Sequence, residues 1–186
     1  MTNETAAITR QEDMDNGDEI FPIVDEEGTV IGAISRREAH GGSRVLHPVV
    51  HLHVFNSSGE LYLQHRPAWK DVQPSRWDTA CGGHVGLGES VTAALRREAE
   101  EEIGITDYVA TAVGRYVFAS DVERELVNVF RTVYDGELHP SATELDGGRF
   151  WSRDEIAASI GRGVFTPNFE SEYARFFARN DSEGNE

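Results

Sequence analysis

Apolar and polar residues alternate with a period of two in several short stretches of this chain, and in one stretch the period lengthens to that of a helix. Alternation over 20–24 and 30–34, split by Asp25-Glu26-Glu27-Gly28, predicts a β-hairpin followed by a short helix over 35–39. The run 49–55 is dense in strand formers, and Asn56-Ser57-Ser58-Gly59 turns it into a second strand over 61–66. Within that run His51 and His53 alternate with Val50, Leu52 and Val54. The histidines therefore share a face with Phe55, read here as the less apolar side, turned to a cleft or to solvent. A loop carrying Trp69, Pro74 and Trp77 leads into a glycine loop. Leu95, Ala99 and Ile103 then recur every four residues and predict a helix held against a sheet, with Ser90 as its N-cap and Gly104 as its left-handed stop. Strands over 108–119, 126–134 and 149–151 follow, then a helix capped by Ser152 and a last helix opened by Thr166-Pro167 and closing at Phe176-Phe177. Mixed strands with one central helix and helices at the end predict an α/β fold, a three-layer α/β/α sandwich around a mixed sheet.

Composition narrows the class. The 186 residues suit one domain, expected over 19–179, while 1–18 and the acidic tail 180–186 lack apolar periodicity and are expected to be disordered. A formal charge of −16 with no basic stretch argues against nucleic acid and anionic membrane as partners. The single cysteine, Cys81, excludes an intramolecular disulfide. No apolar run approaches the roughly 18 residues of a spanning helix, so a soluble, cytoplasmic protein is expected. Lys70 is the only lysine, which makes it conspicuous.

On the predicted helix Glu98, Glu101 and Glu102 lie three and four residues apart, so their carboxylates share a face. A solvated acidic face is the ordinary reading of such a run. Like charges at this spacing cost a few tenths of a kcal/mol per pair, on the order of 0.2–0.5, and a divalent cation would offset that directly. The context strengthens the second reading. Gly83, Glu89 after five intervening residues, and Arg97-Glu98-Ala99-Glu100-Glu101-Glu102-Ile103-Gly104-Ile105 resemble the Nudix box, with only Ala99 small for its apolar slot. The resemblance implies a hydrolase of nucleoside diphosphate derivatives or other organic diphosphates that uses Mg²⁺ or Mn²⁺. It further implies that Glu98, Glu101 and Glu102 are metal ligands, and that Glu89 and Arg97, between Gly83 and Gly104, tie the loop to the helix. Glu101, Glu102 and Glu144 are the expected catalytic carboxylates, with Glu102 and Glu144 the candidates for general base.

A second, looser resemblance spans roughly residues 20 to 155. The order Ala39-His40, His47, Gln64-His65-Arg66, Lys70, Trp77, Cys81-Gly82-Gly83-His84 is similar to type 1 isopentenyl diphosphate isomerase. It implies a second, transition-metal site built from His40, His47 and His84, a diphosphate grip from Arg66 and Lys70, and Glu144 as an acid near the site. Two departures matter. The isomerase places its acidic cysteine directly before the glycine-histidine pair, where this chain has Gly82, with Cys81 one residue early and so facing the opposite side of an extended segment. The isomerase also erodes the box glutamates, which this chain keeps. The expected function is diphosphate hydrolysis of a small molecule, with isomerase activity or a non-catalytic diphosphate or nucleotide sensor as alternatives. Homodimerisation stays open.

Overall fold

The computed structural model describes residues 17–70 and 73–178. The segments expected to be disordered lie outside the described residues, apart from Gly17 and Asp18, which engage Arg37 through its backbone N–H and its guanidinium. Strands β1 (Ile20–Val24) and β2 (Val30–Ser35) form a separate antiparallel hairpin. Helix α1 (Arg36–Glu38) is one turn, closed at its start by a reciprocal capping box between Ser35 and Glu38 and continued by a π-helical turn over Ala39–Ser43. The main sheet has seven strands: β3 (Leu46–Phe55), β4 (Leu61–His65), β5 (Trp77–Thr79), β6 (Cys81–His84), β7 (Thr111–Ala119), β8 (Arg124–Val133) and β9 (Gly148–Trp151). Its β3–β8 pair is parallel and its other pairs are antiparallel, so the sheet is mixed.

Helix α2 (Val91–Ile103) covers one face, burying Ala94, Leu95, Ala99 and Ile103 against Val50, Leu52, Val54 and Tyr62. Helices α3 (Arg153–Ser159) and α4 (Pro167–Phe176) cover the other, burying Ile156, Phe169 and Tyr173 against Leu61, Leu63 and Trp151. Leu61 and Leu63 face one layer and Tyr62 the other, as the two-residue period of a strand requires. The result is the three-layer sandwich that the hydrophobic pattern predicts.

One pairing detail creates the site. A single edge of β3 is shared: its residues Val49–Leu52 pair with β6, whereas Val54 and Phe55 pair with β4. Along this edge β4 and β6 part, and a cavity of about 180 Å³ opens between them, lined by Gln64 and Arg66 on one side and Gly82 on the other. The glycine segment is thus a strand rather than the expected loop, because β3 satisfies its backbone. Trp77, also expected in a loop, begins a short strand on β4. The β3 strand starts three residues before the expected 49, so His47 belongs to it, and β7 starts at Thr111 rather than 108.

Cys81 is fully buried in the core between β6 and α2. Replacing it by Ala should cost ~1–2 kcal/mol in a denaturant titration, as for loss of a small buried group. In the native protein the thiol should react with an aromatic disulfide reagent only as fast as the chain opens; rapid stoichiometric labelling would contradict this placement.

Candidate active site

The loop before α2 is fastened to the helix through one guanidinium. Arg97 grips both oxygens of Glu89, Nε to Oε1 at 3.0 Å and Nη2 to Oε2 at 3.0 Å, a two-point fork. Its Nη2 also donates to the His84 carbonyl at 2.9 Å, and its Nη1 to Glu98 at 2.7 Å and Glu101 at 3.2 Å. Glu89 in turn accepts from the Gly86 backbone at 2.9 Å. Hydrogen bonding to Arg97 holds the Glu89 carboxyl below its ordinary pKa.

The three helix carboxylates are not equivalent. Glu98 is largely buried and Glu102 reaches the cavity wall, where its Oε2 accepts from the Gly82 backbone at 3.0 Å. Glu101 is 55 % exposed and turned to Arg97. Burial raises the pKa of Glu98. Burial, and next the like charge of Glu98, push Glu102 up to about 8. Gly83 has no room for a side chain: a Cβ there would stand 2.1 Å from the Glu98 carboxyl carbon. Crowded, desolvated carboxylates of this kind make a donor set that fits a hard divalent cation.

Arg66, Lys70 and Glu144 line the same cavity as Glu102. Arg66 is steadied by the Gln73 carbonyl at 3.2 Å and Asp78 at 3.5 Å, and Lys70 lies over the Trp69 ring at 5.0 Å. Among the described residues, the apolar side chains of the lining are Pro67 and Leu145, while Asp78, Glu123 and Glu125 add charge.

His40, His47 and His84 converge. One ligand nitrogen from each lies within 4.8 Å of the others, with His40 Nε2 and His84 Nε2 3.1 Å apart. His47 places Nδ1 3.1 Å from the Val45 carbonyl, and its buried Nε2 has no hydrogen-bond partner among the described residues. Phe21 of the small hairpin stacks on His84 with the rings parallel and centroids 4.3 Å apart. Burial lowers the pKa of both His47 and His84, which favours neutral imidazole.

Four further groups were not singled out by sequence reasoning. Glu123 and Glu125 sit on or just before β8, where parallel pairing sets Glu125 beside His47, and Glu123 Oε2 is 3.6 Å from His40 Nδ1. Burial raises the Glu125 carboxyl to about 7. Asp78 and the buried Glu172 of α4 complete the set. A signal for Glu172 existed: it falls among Phe169, Tyr173 and Phe176 on the helix face that must be apolar. The histidine face of β3 divides: His53 is fully buried under α4, whereas His51 lines the cavity.

A NUDIX domain model matches residues 45–169. The chain is 36% identical over 146 residues to an uncharacterised Nudix hydrolase of Pseudomonas aeruginosa, covering 78% of this chain and 85% of that one. It is 30% identical over 156 residues to an isopentenyl-diphosphate Delta-isomerase of Streptomyces avermitilis, covering 81% and 79%. Among solved structures it is similar in fold to DR0079 from Deinococcus radiodurans, with a TM-score of 0.74, 22% identity, and coverage of 86% and 99%.

The Glu102 environment has a consequence for stability. Its folded pKa of about 8 lies above the ordinary 4.5, so across that window the metal-free native state holds a proton that the unfolded chain has released, and stability falls as pH rises. Glu102→Gln should therefore raise the denaturation midpoint of metal-free protein above pH 8 and leave it little changed near pH 4. Equal midpoints for variant and wild type above pH 8 would show that Glu102 is not buried as described.

Proposed function

The chain belongs to the Nudix family of hydrolases, and on that premise we propose that it splits the diphosphate linkage of a small, polar organic diphosphate with the help of Mg²⁺ or Mn²⁺. The observation that carries this reading is the placement of Glu98 and Glu102, two desolvated carboxylates held on one rigid helix beside a cavity that also presents Arg66 and Lys70. Glu98 and Glu102 would hold the cation, with Glu101 at the exposed end of the same cluster. When bound, the cation neutralises phosphoryl charge and makes water a competent nucleophile at neutral pH. Arg66 offers a planar fork to phosphoryl oxygens and Lys70 a point charge. Glu144, on the cavity wall but off the helix, would take the proton of the attacking water, while Glu102, bonded to the Gly82 amide, would serve the cation.

The cavity chemistry speaks against an isoprenoid tail, because among the described residues Pro67 and Leu145 are its apolar side chains. It speaks against isomerisation as well. Burial drives the Cys81 thiol well above its ordinary pKa, and the thiol faces the core. At Gly82, where the isomerase keeps its cysteine, a Cβ would come within 2.8 Å of the His51 ring.

Phosphate or monophosphate release from a panel of nucleotide, sugar and isoprenoid diphosphates with Mg²⁺ tests the reading. Glu98→Gln and Glu102→Gln should each lower kcat by at least roughly a hundredfold, as expected for loss of a metal or acid-base contribution. If instead the protein exchanges protons into isopentenyl diphosphate and Cys81→Ala abolishes that exchange, the chemistry is isomerisation.

A second metal site is favoured by the orphaned Nε2 of His47. The donor set of three imidazoles suits Zn²⁺ or another transition ion, not Mg²⁺. Protein loaded with Zn²⁺ and desalted should retain it stoichiometrically. His47→Asn and His84→Asn should each lose the ion with the circular dichroism unchanged. Retention in these variants, or loss in Glu98→Gln alone, would place the bound ion elsewhere.

A further inference from the structure

Beneath the cavity lies a buried hydrogen-bond network that the box and the histidine cluster do not use. Glu172 projects from α4 into the interior, with its side chain 1 % exposed. One of its oxygens accepts from Tyr116 Oη at 2.7 Å and lies 2.9 Å from His51 Nδ1, while the other meets His53 Nε2. Burial opposes its ionisation, yet His51 and His53 hold the carboxyl well below the usual carboxylate range. An ionised carboxylate only accepts, so the proton between Glu172 and His51 sits on Nδ1. That leaves Nε2 as the business end of the ring.

The ring's other edge is at the cavity. His51 lines it together with Gly82, Glu102, Arg66 and Lys70. A Cβ at Gly82 would fall 2.8 Å from His51 Cδ2 and 3.3 Å from Nε2, so the glycine is what lets the imidazole lie along β6. Charged groups reach His51 from each layer around it: Glu172 of α4, Glu125 of β8 and Asp78 of β5. Burial works against the charged ring, but Glu172, then Glu125 and Asp78, raise its pKa to about 9. These carboxylates favour the charged ring, which carries an N–H on both nitrogens.

We propose that His51 is a catalytic residue that donates from Nε2 to phosphoryl oxygens of the diphosphate in the cavity, and that Glu172 is the residue that positions it. The geometry resembles a base-orienter pair, a buried carboxylate fixing the tautomer and angle of an imidazole whose second nitrogen meets the substrate. His51 adds a rigid cationic donor on the floor of the cavity, whereas Arg66 and Lys70 approach from its β4 side. No covalent step passes through it: the donor stabilises charge that gathers on the departing phosphoryl oxygens as the P–O bond opens. The proposal rests on the diphosphate reading of the cavity.

His51→Ala should lower kcat by about a hundredfold, the loss typical of one donor to a developing oxyanion, with KM moving far less. Glu172→Gln should lose about tenfold, also in kcat, because the ring then keeps its place but loses its charge bias. Wild-type kcat in a folded His51→Ala would overturn the proposal. A titration of the wild-type protein supplies a second arm that does not depend on either variant folding. With Mg²⁺ and methylenediphosphonate, a probe that is not hydrolysed, the ¹⁵N resonance of His51 Nε2 should shift on saturation while those of His65 and His139 stay still. A bound diphosphonate that leaves His51 unmoved overturns the role of His51 alone, and one that does not bind overturns the diphosphate reading with it. Absence of wild-type turnover across the substrate panel, with the His51 shift present, removes hydrolysis and keeps the contact.

Discussion

One guanidinium organises the candidate active site. Arg97 links the loop before α2, the end of β6 and the acidic helix by bonding at once to Glu89, the His84 carbonyl, Glu98 and Glu101. Each bond is charge-assisted or made to a strand carbonyl, and several run parallel, so the loop cannot swing without breaking them together. This fixes where Glu98 and Glu101 point, while the Gly82 amide holds Glu102. It also keeps the electrostatic cost local: the carboxylates repel one another at helical spacing, and the arginine that sets the geometry of Glu89, Glu98 and Glu101 puts a cation among them.

Three consecutive residues of β6 then distribute the chemistry. Gly83 leaves room for Glu98 on the α2 face, Gly82 leaves room for His51 on the α4 face, and His84 joins His40 and His47 on that same face. The alternation of a strand does this automatically. β6 pairs with β3 on one side, and on its outer edge the Gly82 amide meets Glu102, so groups from both helical layers converge on a single slot in the sheet. A larger residue at either glycine would displace a working side chain by occupying its space, which gives the glycine pair a steric role in addition to its backbone freedom.

Much of this was readable from the residues, and what was not shares a cause. The apolar stripe Leu95-Ala99-Ile103, the Ser90 and Gly104 caps and the box glutamates are local patterns whose period reports a helix directly, and the structure buries that stripe. The histidines could be grouped only by resemblance, since His40 and His84 are far apart in sequence and are brought 3.1 Å apart by the pairing of β6 with β3. Cys81-Gly82-Gly83 reads as a loop because glycine has poor strand propensity, and it is a strand because β3 supplies the bonds. Glu123 and Glu125 carry no motif, and only the parallel register of β8 on β3 brings them beside His40 and His47. Glu172 is the instructive miss: a charge on an apolar helix face demands buried partners, and His51, His53 and Tyr116 are those partners.

The central claim is that Glu98, held by Arg97, and Glu102, held by the Gly82 amide, are pre-positioned to take a divalent cation at the mouth of the slot. Anomalous diffraction from crystals grown with Mn²⁺, whose scattering identifies the ion without reference to activity, addresses it directly. The account predicts a peak in coordination contact with the Glu98 and Glu102 carboxylates, with Arg97 still on Glu89. Manganese confined to the histidine cluster or to exposed acidic side chains, with Glu98 and Glu102 bearing none, would contradict it.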